Sequence, residues 1–169
     1  MPIALCLLAG CVHVPAMPRT ADGELLSIRT DAGYCMRNCR SFDIRLSSDG
    51  RGLLRVYVDG ELIRFQSLRL TPEQYRAFGD RLAPYRPVGI HDYADPDACD
   101  SFATDLGGYR LTWQGRGPDG LLLVNDGCYS KGADAARSAI RDAIASLGFK
   151  ALPEPSQGSV ASTLMPGRR

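Results

Sequence analysis

Apolar and polar side chains alternate through Phe42-Asp-Ile-Arg-Leu46, so that Phe42, Ile44 and Leu46 share one side. A period of two is that of a half-buried strand. Ser47-Ser-Asp-Gly50 has the chemistry of a tight reversal, and Leu54, Val56 and Val58 alternate back from it. A second reversal at Asp59-Gly60 leads into Leu62-Ile63-Arg64-Phe65, which predicts a third strand of one meander. Between Glu24 and Thr30, Leu26 and Ile28 alternate with Ser27 and Arg29, a shorter strand of the same kind. Tyr109-Arg-Leu-Thr-Trp113 and Leu121-Leu-Leu-Val124 predict a further hairpin, with Trp113 in the core or on a sheet face.

Two stretches change period. Thr71-Pro72-Glu73-Gln74 opens a helix: threonine caps it, proline takes the first turn, and Gln74 stands where a capping box needs it. Tyr75, Phe78 and Leu82 recur on one face, and Pro84 ends the run. Ala133 to Leu147 predicts a second helix, with Ala136, Ile140, Ala143, Ile144 and Leu147 on one stripe and Gly148 past its end. Val88 to Ser101 follows neither period and is acidic, and Phe102 to Asp105 reads as a short extended piece before Gly107-Gly108. The expected fold is α+β, an antiparallel sheet of hairpins with two α-helices packed on one face. Each helix follows a strand, an Asp-Gly, a second strand and another Asp-Gly. This echo is compatible with a duplicated hairpin–helix unit, and equally with the ordinary repetition of a meander.

Composition adds limits. A chain of 169 residues with 44% apolar and 23% charged residues has the size and balance of one globular domain. A formal net charge of +1 supplies no global field for nucleic acid or an anionic membrane, so nucleic acid is not an expected partner. Of 20 basic residues only Lys131 and Lys150 are lysine. The arginines are scattered along the chain, as a GC-rich genome produces without any binding role.

The N-terminus points to export. An apolar run from Pro2 ends Leu8-Ala9-Gly10-Cys11, which resembles the lipobox of bacterial lipoproteins. The resemblance implies a signal peptide over 1–10, lipidation of Cys11, and a tether over 11–23 that contains Pro15, Pro18 and His13. Val12 rather than aspartate after the cysteine favours the outer membrane, by analogy with enterobacterial sorting. No Lys or Arg precedes the apolar run, so the true start is expected upstream or the sequence is truncated; the bland alternative is a chance Leu-Ala-Gly-Cys in a frayed terminus. Ten residues are too few to span a bilayer. A single α+β domain is expected over 24–150, and the Pro-, Ser- and Gly-rich stretch 151–169 reads as a disordered tail.

With Cys6 in the leader and Cys11 acylated, Cys35, Cys39, Cys99 and Cys128 remain. Four cysteines in an exported domain imply disulfides, and three pairings are open. The short spacing favours Cys35–Cys39, leaving Cys99–Cys128. That second bond requires residues 99–108 to fold back as a loop, bringing Cys99 beside the strand ends at Tyr109 and Asp126. Redox use would call for Cys-x-x-Cys at a helix N-terminus, whereas here three residues intervene and a strand follows. A zinc site would call for short-spaced ligand pairs, which are absent.

Cys35, Cys39, Phe42 and Asp49-Gly50 together resemble an uncharacterised bacterial domain, often carried on lipoproteins, that opens Cys-Phe-Gly-x-Cys-Pro-x-Tyr before a strand, Asp-Gly and another strand. The Leu-Thr-Pro-Glu helix start and the Asp92-Tyr93 stretch are similar too, and the likeness runs from about Glu24 to Leu147. Arg37 stands where that family has glycine and Arg40 where it has proline. The resemblance implies an envelope location and carries no known activity.

Other candidate chemistry is weak. Gly115-Arg-Gly-Pro-Asp-Gly120 spells G-x-G-x-x-G, but a dinucleotide site needs a helix after the last glycine and a strand follows. His91 has no G-x-S-x-G partner, and Ser130 beside Lys131 reads as a helix cap. Asp92, Asp95, Asp97 and Asp100 could converge on calcium, yet their spacing is not an EF-hand loop. No catalytic residue, metal or cofactor is therefore expected. The expected role is that of a lipid-anchored envelope module that binds a protein or polymer. A periplasmic enzyme or thiol-redox protein, or an inhibitor of a periplasmic hydrolase, is the alternative.

Overall fold

The computed structural model describes residues 23–115 and 117–149. The expected leader, Cys11, the tether up to residue 22 and the tail lie outside the described residues.

The meander forms as its alternation dictates. β1 (Leu25–Asp31), β2 (Arg40–Ser47), β3 (Arg51–Val58) and β4 (Glu61–Arg69) pair antiparallel in sequence order. α1 (Pro72–Leu82) follows. After it come the edge strand β5 (Gly89–Tyr93), the two-residue β6 (Ser101–Phe102), and the hairpin β7 (Gly108–Gln114) with β8 (Gly120–Asn125). β9 (Cys128–Tyr129) and α2 (Lys131–Ser146) complete the described chain. Seven strands make one sheet in the order β4-β3-β2-β1-β7-β8-β5, while β6 and β9 pair separately.

The sheet differs from a purely antiparallel one at a single edge. β5 lies parallel to β8, from Gly89 opposite Gly120 to Tyr93 opposite Val124. Four of its five residues are exposed, so it has no buried face to impose alternation on the sequence. The two hairpins β2–β3 and β7–β8 flank β1 on either side, but the likeness ends there. β4 continues the first hairpin in antiparallel order, whereas β5 joins the second from earlier in the chain and in parallel.

One sheet face carries Leu26, Ile28, Phe42, Ile44, Leu46, Leu54, Val56, Leu111, Trp113, Leu122 and Val124, all buried in one core. Phe78 and Leu82 of α1 and Ala136, Ile140, Ala143 and Ile144 of α2 close that core, and the two helices touch each other. The capping box at Thr71 is complete: its hydroxyl accepts from the Gln74 amide at 3.2 Å, and the Gln74 side chain accepts from the Thr71 amide at 2.9 Å. Ser130 caps α2 by accepting from the Ala133 amide at 3.2 Å. Beyond α2, the Gly148 amide donates to the Ala145 carbonyl, and Gly148 adopts φ +67°, a left-handed value that costs glycine nothing and ends the helix. Tyr75 packs against the core from α1, and its phenol is pushed up to about 12, chiefly by burial and then by the Glu24 carboxylate. It stays neutral throughout the physiological range.

Candidate functional site

Two features stand out once the core is removed from consideration. The first is the clasp between β1 and β2. Cys35 and Cys39 are disulfide-bonded, with Cα atoms 5.5 Å apart. The reversal between them is held by Asp59 in the β3–β4 turn, whose carboxylate accepts from the Asn38 and Cys39 amides at 3.2 and 2.8 Å. The Asp59 amide donates in return to the Cys39 carbonyl at 2.9 Å. Beside the clasp lies an open cleft of about 420 Å³, bordered by Arg29, Asp31, Met36, Ser41 and Asp59. Met36 is largely exposed at its rim, and Tyr34 is exposed in the same β1–β2 connection.

The second feature is the sheet face opposite the helices. The core residues of α1 and α2 all lie on the other side of the sheet from it. Strand alternation puts Ser27 and Arg29 of β1, Asp43 and Arg45 of β2, Arg55 of β3 and Arg110 and Thr112 of β7 on the face away from the helices. Asp43 is buried at 8% exposure and stands directly opposite both Arg29 and Arg55. Arg45 meets it through Nε at 3.1 Å and Arg55 through Nη1 at 3.6 Å. One carboxylate thus holds two guanidiniums against the sheet. Exposed apolar residues lie toward the edges, with Leu62, Ile63 and Phe65 on β4 and Ile90 on β5.

The second disulfide is structural in its setting. Cys99 joins Cys128, which is fully buried, and Asp100 and Ala103 donate to the Tyr129 and Gly127 carbonyls, both at 2.9 Å. Residues 99–108 fold back as the cysteine spacing requires. Backbone approach at Gly127 is so close that an added Cβ would sit 1.9 Å from the Ala103 carbonyl oxygen. Arg137 of α2 binds this corner, donating to the Asn125 and Cys128 carbonyls at 2.7 and 2.8 Å and pairing with Asp134. Arg137→Met should lower stability by about 2–3 kcal/mol, because two inward carbonyls lose a charged donor. Urea denaturation measures it, and a loss under about 0.5 kcal/mol would mean that water replaces the guanidinium.

No family model, curated protein or solved structure matches this chain. Its chemistry has to be read from these residues.

The other candidates are spread apart. Asp92 accepts from the Ala94 amide at 2.6 Å, and Asp95 accepts from the Asp97 amide at 3.0 Å, each closing its own turn. Among the described residues no three His, Cys, Asp or Glu side chains are grouped to hold a metal ion. His91 is exposed on β5, edge-on to the Tyr93 ring at 4.3 Å. β8 begins at Gly120, so a strand and no helix N-terminus follows the last glycine of the motif. No helix among the described residues is long and apolar enough to cross a membrane. Sequence reading missed Arg137, which shares the core-facing side of α2 with Ala136 and Ile140. It also missed the convergence of arginines on one sheet face. The only available signal for the latter was that Arg29, Arg45, Arg55 and Arg110 each occupy a polar position of an alternating strand.

Proposed function

We propose that this protein is an exported, lipid-anchored module of the bacterial cell envelope that binds without catalysis, presenting its open sheet face to an envelope protein or polymer. The observation that carries this reading is the one-sided sheet. Two helices cover one face, while the other carries a band of arginines flanked by apolar residues toward the sheet edges. Two disulfides brace the sheet at its ends, which suits an oxidising compartment. A rigid face of this kind binds with little ordering cost. The membrane attachment would come from Cys11, and Cys11→Ala should release the protein from the membrane fraction.

A photo-crosslinking residue at Thr112, on the open face, should capture a partner in native membranes, and one at Asp142, on the exposed side of α2, should not. Capture from Asp142 alone, or from neither, rejects the reading. A second reading, thiol exchange through Cys35–Cys39, is favoured by the partly exposed clasp and its cleft. Against it, the clasp leads into a strand, so no helix dipole favours a thiolate. Two low-pKa thiols in purified, unreduced protein would support exchange.

A further inference from the structure

The formal charge of the chain is +1, yet several of its arginines gather on one sheet face. Five neighbouring strands each contribute one exposed arginine to the open face: Arg69 from β4, Arg51 from β3, Arg45 from β2, Arg29 from β1 and Arg110 from β7. Register lines them up. Arg51 stands directly opposite Arg69, and Arg29 directly opposite Arg110. Arg45 lies between these pairs, opposite Ser27 on β1 and Leu53 on β3, hence diagonal to both Arg29 and Arg51. Opposed positions are about 5 Å apart and diagonal ones about 7–8 Å, so the five form an oblique path of about 25 Å with a cation every ~6 Å.

Like charges placed directly opposite across strands disfavour the sheet, and the fold does little to relieve them. Among the described residues Arg29, Arg69 and Arg110 have no acidic partner within ion-pair distance. Arg51 pairs with Asp49 and Arg45 with Asp43, each through Nε. Arg55, beside the path, shares Asp43 with Arg45, so that carboxylate is divided between two guanidiniums. Asp31, diagonal to Arg110, and Asp92, in line with Arg110 beyond Leu123 of β8, mark the end of the path and make no ion pair with it within 4 Å.

We infer that this path is a track for a linear polyanion, and specifically for an acidic polysaccharide carrying carboxylates. The inference rests on the open face being the binding surface. Each planar guanidinium can grip a carboxylate through two parallel N–H donors. The residues beside the path decide among polyanions. Ser27, Ser67 and Thr112 flank it with small hydroxyls that suit sugar hydroxyl groups. A single-stranded nucleic acid would want aromatic platforms between the cations, whereas Tyr57 and Phe65 lie off the path. A membrane would want apolar side chains inserted among the cations, whereas the large exposed ones stand toward the sheet edges.

Polygalacturonate is the probe. The purified full-length protein should bind it in calorimetry at low salt and bind it more weakly as salt screens the charges. Arg29→Gln with Arg110→Gln should weaken binding at least tenfold without lowering the melting temperature, since the change removes a repulsive pair. Arg76→Gln with Arg81→Gln, exposed on α1, should change affinity less than twofold. Absence of binding, or equal losses in the two double variants, overturns the inference. Tighter binding to phosphatidylglycerol vesicles or to oligo-thymidylate than to polygalacturonate overturns it too. If polygalacturonate fails while Thr112 still captures a membrane protein, the polysaccharide track falls and the binding-module reading stands.

Discussion

Replacing Cys99 and Cys128 together with alanine is expected to lower stability by about 3.6 kcal/mol, the largest effect of any disulfide change here. The bond closes a loop spanning 29 residues, and the cost of opening it lies mainly in the freedom returned to the unfolded chain. Alanine is the right replacement because Cys128 is fully buried, and serine would add a buried hydroxyl to the loss. The melting temperature should fall by roughly 10–15 °C. The Cys35/Cys39 pair closes a ring with a sequence separation of 4, so its removal should cost no more than about 2 kcal/mol. Thermal unfolding of both variants under oxidising conditions makes the comparison. Equal shifts would mean that loop length does not set the contribution of either bond.

Phe78→Ala should destabilise the domain by about 3–5 kcal/mol. Phe78 has no exposed surface, and with Leu82 it is one of only two fully buried side chains that seat α1 on the sheet. Truncation removes the ring's transfer energy and leaves a cavity between a helix and a sheet that cannot close freely. The neighbouring capping box and α1's contact with α2 keep the helix in place, so the void persists. Ile63→Ala on the exposed edge of β4 should change stability by less than about 0.5 kcal/mol. Chemical denaturation reads both, and hydrogen exchange of the α1 amides should quicken in the Phe78 variant alone. A loss below about 1.5 kcal/mol would show that α1 is not held by this side chain.

Much of the architecture was legible because its signals are local. Phe42, Ile44 and Leu46 alternate since each must reach the same core, and Thr71 with Gln74 satisfies helix-end amides within one turn. The Cys99–Cys128 pairing was legible by a longer argument, since the closed loop forces the fold-back at 99–108. β5 was not legible. As an exposed edge strand it has no buried face to record in its sequence, and its parallel partner β8 lies some 30 positions on. Arg137 was hidden because its stem follows the core stripe of α2 while its charged end reaches carbonyls of another element.

By itself, the amino-acid sequence determined the strands that bury a face, the helices and the faces they bury, and it favoured the pairing of the sulfurs, because period, caps and spacing act over a few bonds or a closed ring. Which surfaces come to lie side by side was decided only in the tertiary structure. Arg29, Arg45, Arg51, Arg69 and Arg110 look scattered along the chain, and alternation alone places each on a polar face. It is strand order and register that align them on one sheet. Register is set by core packing on the opposite face, a long-range condition that no local stretch of the chain records.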